Sequence, residues 1–463
     1  MEVFMEILHT QGNGKLLSSS VIIIESEGVV SSANVKRALG MLMTRYQQLR
    51  LRYVNHSRQA TVKYFVEMDE AEVDFMEIAG SNWVDILEME LKTVFDSSAG
   101  PLWRVRMLEC QEHVSVYSVP LVFTFHHGLL DGISIMKVYR EFVGFMEQIA
   151  AGVKPTIDCI PMSTSLESNL SIEPLGRLMR TIVSLGLPLL MKAAGAWAKS
   201  CPKVICDLLS NSPPIDPART TTVLPIPFLA EETRRVVRKS KEMGVTVHGM
   251  CTASAAVAFQ KLLLKHGALQ AGEQIQIPTG FNVSLRRFAK EPIPEESLGV
   301  FFSVGSLPIT LPGNSKESFW DIAKQSLVDT KKIIDGGKPI FSIKMTQFLC
   351  DMLARGYAPI WNEKGLTSAF NISNCGNFTI VASGRPEAIA ATERLAETAR
   401  YKLVEMYCAT AEHEGTVHLF VHNIATINGR MSWSLVNYRH LVDSAVVEEY
   451  AGLIKETIMH ACL

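Results

Sequence analysis

An α/β fold assembled from two similarly built units is predicted by three features of the 463-residue chain. The length exceeds what one ordinary core organises and suits two domains of about 200 residues each. Segments of strand and helix character intermix in both halves, without a period of repetition. Between the halves, Gly152 to Pro217 changes character: prolines 155, 161, 174, 188, 202, 213, 214 and 217 punctuate it, and Ser163 to Ser171 is polar. These features divide the chain into a first unit over 1–160, a connecting segment over 161–218 and a second unit over 219–463.

In the first unit, Val21 to Glu25 is a short β-branched strand. Val35, Leu39, Leu42, Met43, Tyr46 and Leu49 then recur at helical spacing behind possible caps at Ser31 or Ser32, up to Arg50. Ala60 to Glu67 has strand character and Trp83 to Phe95 helical character. Leu102 to Leu108 and the apolar run Val114 to Phe125 suit an antiparallel hairpin, and Ile133 to Ile149 follows as an amphipathic helix.

The connecting segment holds Leu175 to Ala198, strongly apolar but interrupted by Arg177, Arg180, Pro188 and Lys192. Those interruptions disfavour a membrane span, which needs about 20 largely uncharged apolar residues. The stretch suits a buried or tunnel-covering helix, with a lipid-facing helix at a membrane surface as the alternative. The second unit begins with Thr220 to Phe228 as strand, Glu231 to Glu242 as exposed helix, and Val247 to Lys265 as a nearly all-apolar helix capped by Thr246. Ile275 to Phe281 and Val300 to Ile309 are expected strands, with Phe319 to Ile334 a helix after them. Phe370 to Asn374, Lys402 to Ala409, Thr416 to Ile424 and Met431 to Tyr438 are further strands, the last two joined by the type I′ signal Asn428-Gly429. Val442 to His460 closes the chain as an amphipathic helix.

Chemistry concentrates in His126-His127-Gly128-Leu129-Leu130-Asp131-Gly132. The segment lies between a buried strand and a helix, which places the histidines at a strand end facing a cleft. Gly128 and Gly132 suit a sharp turn there, and an imidazole titrating near neutrality can take a proton from a hydroxyl.

His126, His127, Asp131 and Gly132 at this spacing, between strand and helix, resemble the HHxxxDG signature of the chloramphenicol acetyltransferase-like superfamily. That superfamily includes condensation domains, plant acyltransferases, carnitine acyltransferases and alcohol acetyltransferases. Pro101-Leu102-Trp103-Arg104 resembles a segment upstream of the motif in alcohol acetyltransferases and wax ester synthases, whereas the DFGWG element of the plant enzymes is absent. The resemblance implies two subdomains, each a mixed sheet flanked by helices, with an active-site channel at their interface. It implies transfer of an acyl group, acetyl in the nearest branch, from an acyl-CoA co-substrate to a small or lipophilic alcohol. No covalent enzyme intermediate is needed, and amine acceptors stay open.

In the resemblance His127 is the general base and His126 is architectural. Asp131 pairs with an arginine of the second half instead of orienting His127. Gly280 to Arg287 resembles an Asn-x-x-x-Arg element, with Asn282 lining the site and Arg286 as the partner of Asp131. Ser373-Asn374-Cys375-Gly376 resembles a Ser-Asn-x-Gly motif, which makes Ser373, Asn374 and Gly376 oxyanion or substrate candidates. Arg287 and Lys290 are candidates for the CoA phosphates. No sequence feature activates Cys375 as a nucleophile. Two other readings remain: a lipid acyltransferase of the wax ester and diacylglycerol synthase type, working at a membrane surface through Leu175–Ala198, and a non-catalytic, ligand-binding descendant.

A formal net charge of −2 gives no reason to expect nucleic acid as a partner. Nine scattered cysteines without a CxxC suit reduced, packed thiols, and no metal-ligand spacing is present. The N-terminus lacks the features of a secretory signal, so a cytoplasmic monomer is the expectation, with peripheral membrane contact through Leu175–Ala198 as the alternative.

Overall fold

The computed structural model describes residues 2, 5, 6, 9, 15–56, 59–114, 116–170, 203–210, 220–314, 318–354, 366–380, 399–411 and 418–463. In chain order the first half contains β1 (Leu17–Ser26), α1 (Ser32–Arg45), β2 (Leu51–His56), β3 (Gln59–Glu67), β4 (Asp74–Ile78), α2 (Trp83–Glu90), β5 (Trp103–Leu108), β6 (Gln111–His113), β7 (Val116–His126) and α3 (Gly132–Ala150). Short helices α4 (Leu166–Asn169) and α5 (Lys203–Ser210) follow. The second half contains β8 (Thr221–Pro227), α6 (Ala230–Glu242), α7 (Val247–Lys265), β9 (Ile275–Ile277), β10 (Thr279–Ser284), β11 (Phe302–Ser306), β12 (Ile309–Leu311), α8 (Phe319–Asp335), α9 (Lys338–Ala354), β13 (Ser368–Phe378), β14 (Tyr401–Thr410), β15 (His418–Ile427), β16 (Arg430–Tyr438) and α10 (Ser444–Ala461).

Two six-stranded mixed sheets organise these elements. One has the order β14-β1-β7-β5-β4 with β6 beside β7, and the other the order β11-β10-β13-β15-β16-β8. The expected pairing of 102–108 with 114–125 is present as β5 against β7. Asn428 and Gly429 both have positive φ, 48° and 79°, as a type I′ turn between β15 and β16 requires.

Strand β14 departs from the sequential division at residue 219. It pairs antiparallel with β1, so a second-half segment forms the edge of the first sheet. Its alternating side chains serve two cores. Leu403 and Met406 join the cluster that also holds Ile22, Phe123 and the α1 and α3 side chains, whereas Tyr407 and Ala409 join the second-half cluster. Through this strand the halves share structure as well as surface.

The helices form where the apolar periodicity lies. On α3, Ile135, Val138, Tyr139, Phe142 and Val143 are buried against the first sheet. Helix α7 is buried nearly all round, and Thr246 caps it by accepting from the Gly249 N–H at 3.0 Å. It is also long and apolar enough to cross a membrane, but its buried flank places it in the protein core. Two expected single strands are each divided at a proline. Pro278 separates β9 from β10 and Pro308 separates β11 from β12, after which β9 and β12 pair with each other. Leu175–Ala198 lies outside the described residues.

Candidate active site

Strand β7 carries the histidines to the junction of the halves. His126 is its last residue, in register with Leu17 of β1. The His126 N–H donates to the Leu102 carbonyl (2.8 Å), the His127 N–H to the Leu16 carbonyl (3.1 Å) and the Leu129 N–H back to the His126 carbonyl (2.9 Å). Gln48 Nε2 donates to the Leu129 carbonyl at 2.9 Å. The turn is therefore fixed by hydrogen bonds from three directions. Neither Gly128 nor Gly132 has a positive φ, contrary to the turn conformation expected of them. Space is what they provide. A Cβ at Gly128 would lie 2.7 Å from Tyr53 Oη and 3.1 Å from the His126 ring, and one at Gly132 would lie 2.8 Å from Cys375 Sγ.

The partly buried His127 ring stacks on Phe302, with 5.8 Å between centroids. Its Nδ1 is enclosed without a hydrogen-bond partner among the described residues, which leaves Nε2 as the nitrogen open to the cavity. Burial lowers its pKa to about 4; His126 acts in the same direction, and Asp131 opposes both. The imidazole is neutral at pH 7, the form in which it accepts a proton.

Asp131 is fully engaged elsewhere. As N-cap of α3, its Oδ1 accepts from the Ser134 N–H at 2.8 Å. Oδ2 accepts from the Phe301 N–H at 3.0 Å. Arg286 donates to both oxygens, 2.7 Å from Nη1 to Oδ2 and 2.9 Å from Nη2 to Oδ1. The Ser134 hydroxyl accepts from Arg286 Nη2 and donates to the Gly299 carbonyl, so besides Asp131 and Arg286 the clamp includes Ser134, Gly299 and Phe301. A cap of the form Asp-x-x-Ser at the helix start was the available signal for Ser134.

His126 is fully buried beside residues far away in sequence. Its Nδ1 accepts from the Gly128 N–H at 3.0 Å, and its Nε2 lies 3.0 Å from Glu6 Oε2. Glu6 also pairs with Lys63 and accepts from the Ser97 hydroxyl at 2.7 Å. Burial raises the Glu6 pKa, but the hydrogen bonds from His126, Lys63 and Ser97 outweigh it and hold the carboxyl near 2. Donor atoms of Glu6, His9 and His126 lie within 4.8 Å of one another, a metal-like grouping. The Lys63 ammonium already supplies the positive charge a cation would bring. Nothing in local sequence pattern relates Glu6 to His126, 120 positions apart, which meet only through long-range packing.

A solvent-open cavity of about 340 Å³ lies between the halves. His127, Asp131 and Gly132 line one side, and Asn282, Ser373 and Asn374 line the other. Asn374 Oδ1 accepts from the Gly376 N–H at 2.9 Å, and Gly376 takes φ +100° where β13 shifts register between Asn374 and Asn377. Gly376 shapes this bulge and does not line the cavity. Arg287, stacked on Phe288, and Lys290 are exposed and also lie outside the lining.

Over residues 6–160 the sequence matches the family model described as Condensation domain. The chain is similar to trichothecene 15-O-acetyltransferase TRI3 from Fusarium sporotrichioides, at 12% identity and TM-score 0.64, covering 100% of this chain and 94% of that one. It is similar to polyketide synthase associated protein 5 from Mycobacterium tuberculosis, at 13% identity and TM-score 0.60, covering 97% and 95%. It is also similar to the epimerization domain from the third module of tyrocidine synthetase B, at 11% identity and TM-score 0.61, covering 100% and 95%. A comparison with curated protein sequences found no match. At these identities the structural likeness shows the fold alone, a pair of mixed sheets flanked by helices as in the condensation and acetyltransferase structures. The sequence match to the Condensation domain model covers residues 6–160, about a third of the chain.

Proposed function

We propose that this protein is an acyl-CoA-dependent O-acyltransferase, with an acetyl group as the simplest cargo and an alcohol as acceptor. One observation carries the reading: His127 is neutral, with a free ring nitrogen in the cavity between the halves, while Asp131 is committed to Arg286. His127 Nε2 takes the proton of the acceptor hydroxyl as its oxygen attacks the thioester carbonyl carbon. The carbon–sulfur bond then breaks, and the imidazolium returns the proton to the leaving thiolate. The products are an ester and free CoA. The Ser373 hydroxyl and the Asn374 amide are the proposed donors to the oxyanion, a contact worth about 2.7–4 kcal/mol in comparable acyl transfers. Arg287 and Lys290 are proposed to meet the CoA phosphates outside the cavity.

The match to the Condensation domain model favours a second reading, in which an amine is the acceptor. Incubating the purified chain with acetyl-CoA and a panel of alcohols and amines, with thiol release and product mass as readouts, tests both. Acylated product with the wild type and none with His127→Ala is expected. Absence of thioester consumption, or near-normal turnover of the variant, overturns the proposal.

A further inference from the structure

The channel face of the second sheet is polar across three neighbouring strands. Gly280 of β10 is in register with Asn371 of β13, and Asn371 is in register with Val421 of β15. Asn282, Ser373 and Asn423 lie two residues further along these strands and so point to the same side. All three line the cavity that holds His127, as does Asn371. The opposite face carries Phe281, Phe370 and Ile372 into the core.

Two of these amides are incompletely satisfied. Asn371 donates from Nδ2 to Asn282 Oδ1 at 3.2 Å, but among the described residues its Oδ1 has no partner, and Asn423 Nδ2 has none either. Both residues are more than nine-tenths buried, at 5% and 6% exposure. A buried acceptor and a buried donor without partners beside one cavity wall are unfavourable in the empty protein; both atoms are closed to water as the side chains stand, so a ligand meets them, and removes that cost, once the two amides turn toward the cavity. Leucine or valine at these positions would pack without it.

We propose that Asn371 and Asn423 form a hydrogen-bonding subsite for a ligand group that donates one hydrogen bond and accepts another, a hydroxyl or a secondary amide. This rests on the acyl-transfer reading of the same cavity. Two substrates offer such a group: an acceptor with a second hydroxyl, and the pantetheine arm of the acyl-CoA. The subsite selects for that group because an analogue lacking it leaves two buried polar atoms unmet.

The test compares the wild-type chain with Asn423→Leu and Asn423→Ala. Acetyl transfer is measured to 1-octanol, 1,2-octanediol and 1,8-octanediol, CoA affinity by calorimetry, and unfolding by thermal melt. If the acceptor supplies the group, the wild type favours a diol over 1-octanol by about 10- to 100-fold in kcat/KM, and Asn423→Leu brings that ratio toward one. If pantetheine supplies it, Asn423→Leu weakens CoA binding by about tenfold and leaves the ratio in place. In either case Asn423→Leu melts no lower than the wild type, because a partnerless buried donor has been removed. Unchanged acceptor ratio and CoA affinity in both variants overturn the subsite, as does a lowered melting point with a general loss of function. If the wild type transfers to no acceptor, the acyl-transfer reading fails separately. The subsite is then judged by the same CoA calorimetry and by ligand-observed NMR of 1,2-octanediol against 1-octanol, where equal binding to wild type and Asn423→Leu overturns it.

Discussion

Asp131 and Arg286, 155 positions apart in the chain, meet through two parallel hydrogen bonds of 2.7 and 2.9 Å across the junction of the two halves. The carboxylate also caps α3 and accepts from the Phe301 backbone, so one side chain fixes a helix start, a loop of the second half and the residues after His127. The pair is a geometric clamp. Asp131→Asn and Arg286→Ala are each expected to cost about 3 kcal/mol, the lower end for a buried pair because Arg286 keeps 16% exposure. The double variant should be little worse than either single. Denaturant unfolding of all four proteins measures the coupling, expected at nearly the cost of one single, about 2–3 kcal/mol, and strict additivity would show that the contact carries no energy.

Gly132 and Cys375 face each other across the same junction. An alanine Cβ at 132 would stand 2.8 Å from the thiol, closer than real contacts allow, although alanine at the first position of a helix is otherwise favourable. Gly132→Ala alone should destabilise by about 1–3 kcal/mol and lower activity. In a Cys375→Ala background the same change should become neutral or stabilising. Thermal melts of the two pairs decide it: a destabilisation that persists without the thiol would trace the glycine requirement to the backbone instead.

The first half of this site was legible because its residues are adjacent in sequence. Strand, His-His, helix and cap fall within one short segment, and hydrophobic periodicity places each. Arg286 was reachable only through the family resemblance, since no periodicity relates position 286 to 131. The Glu6, Lys63 and Ser97 surroundings of His126 were hidden for the same reason. β14 had the alternation of a strand but nothing that says which sheet it joins; that choice depends on pairing with β1, which is a long-range matter. The division of two expected strands at Pro278 and Pro308 was present in the sequence and was overridden there by the apolar runs around each proline.

Glu6 should behave as a structural anchor of the first histidine. Its carboxyl is held near 2, below an ordinary value of 4.5, so its contribution is fully present above pH 4.5 and is lost as pH falls toward 2. Glu6→Gln removes the charge facing Lys63 and weakens the hold on His126, with an expected loss of up to about 3 kcal/mol at pH 7. The gap between variant and wild type should stay level from pH 7 to 4.5 and close below that. Urea midpoints across this range would show it, and a gap that does not change with pH would mean that packing, rather than charge, is what the substitution removes.

The pH dependence of catalysis separates a buried His127 from an ordinary one. Its pKa near 4 keeps the ring unprotonated throughout the physiological range, so base-form enzyme is undiminished between pH 8 and about 5.5. A histidine at 6.5 would lose roughly tenfold of its base form by pH 5.5. Stability should instead fall over the lower part of this interval. The partly buried His127 and His248 and the buried His9 and His422 all have pKa values lowered by desolvation, to about 4, 4, 4 and 3. The unfolded chain binds protons that the folded one refuses, so each group withdraws up to about 1.4 kcal/mol per pH unit as pH falls from 6.5 toward its folded value. The expected result is a kcat/KM profile that is flat to within about twofold down to pH 5.5 while the melting temperature declines, both followed on one preparation below its melting point. An activity limb centred near 6.5 would show that His127 is solvated in the working enzyme, or that a different group takes the proton.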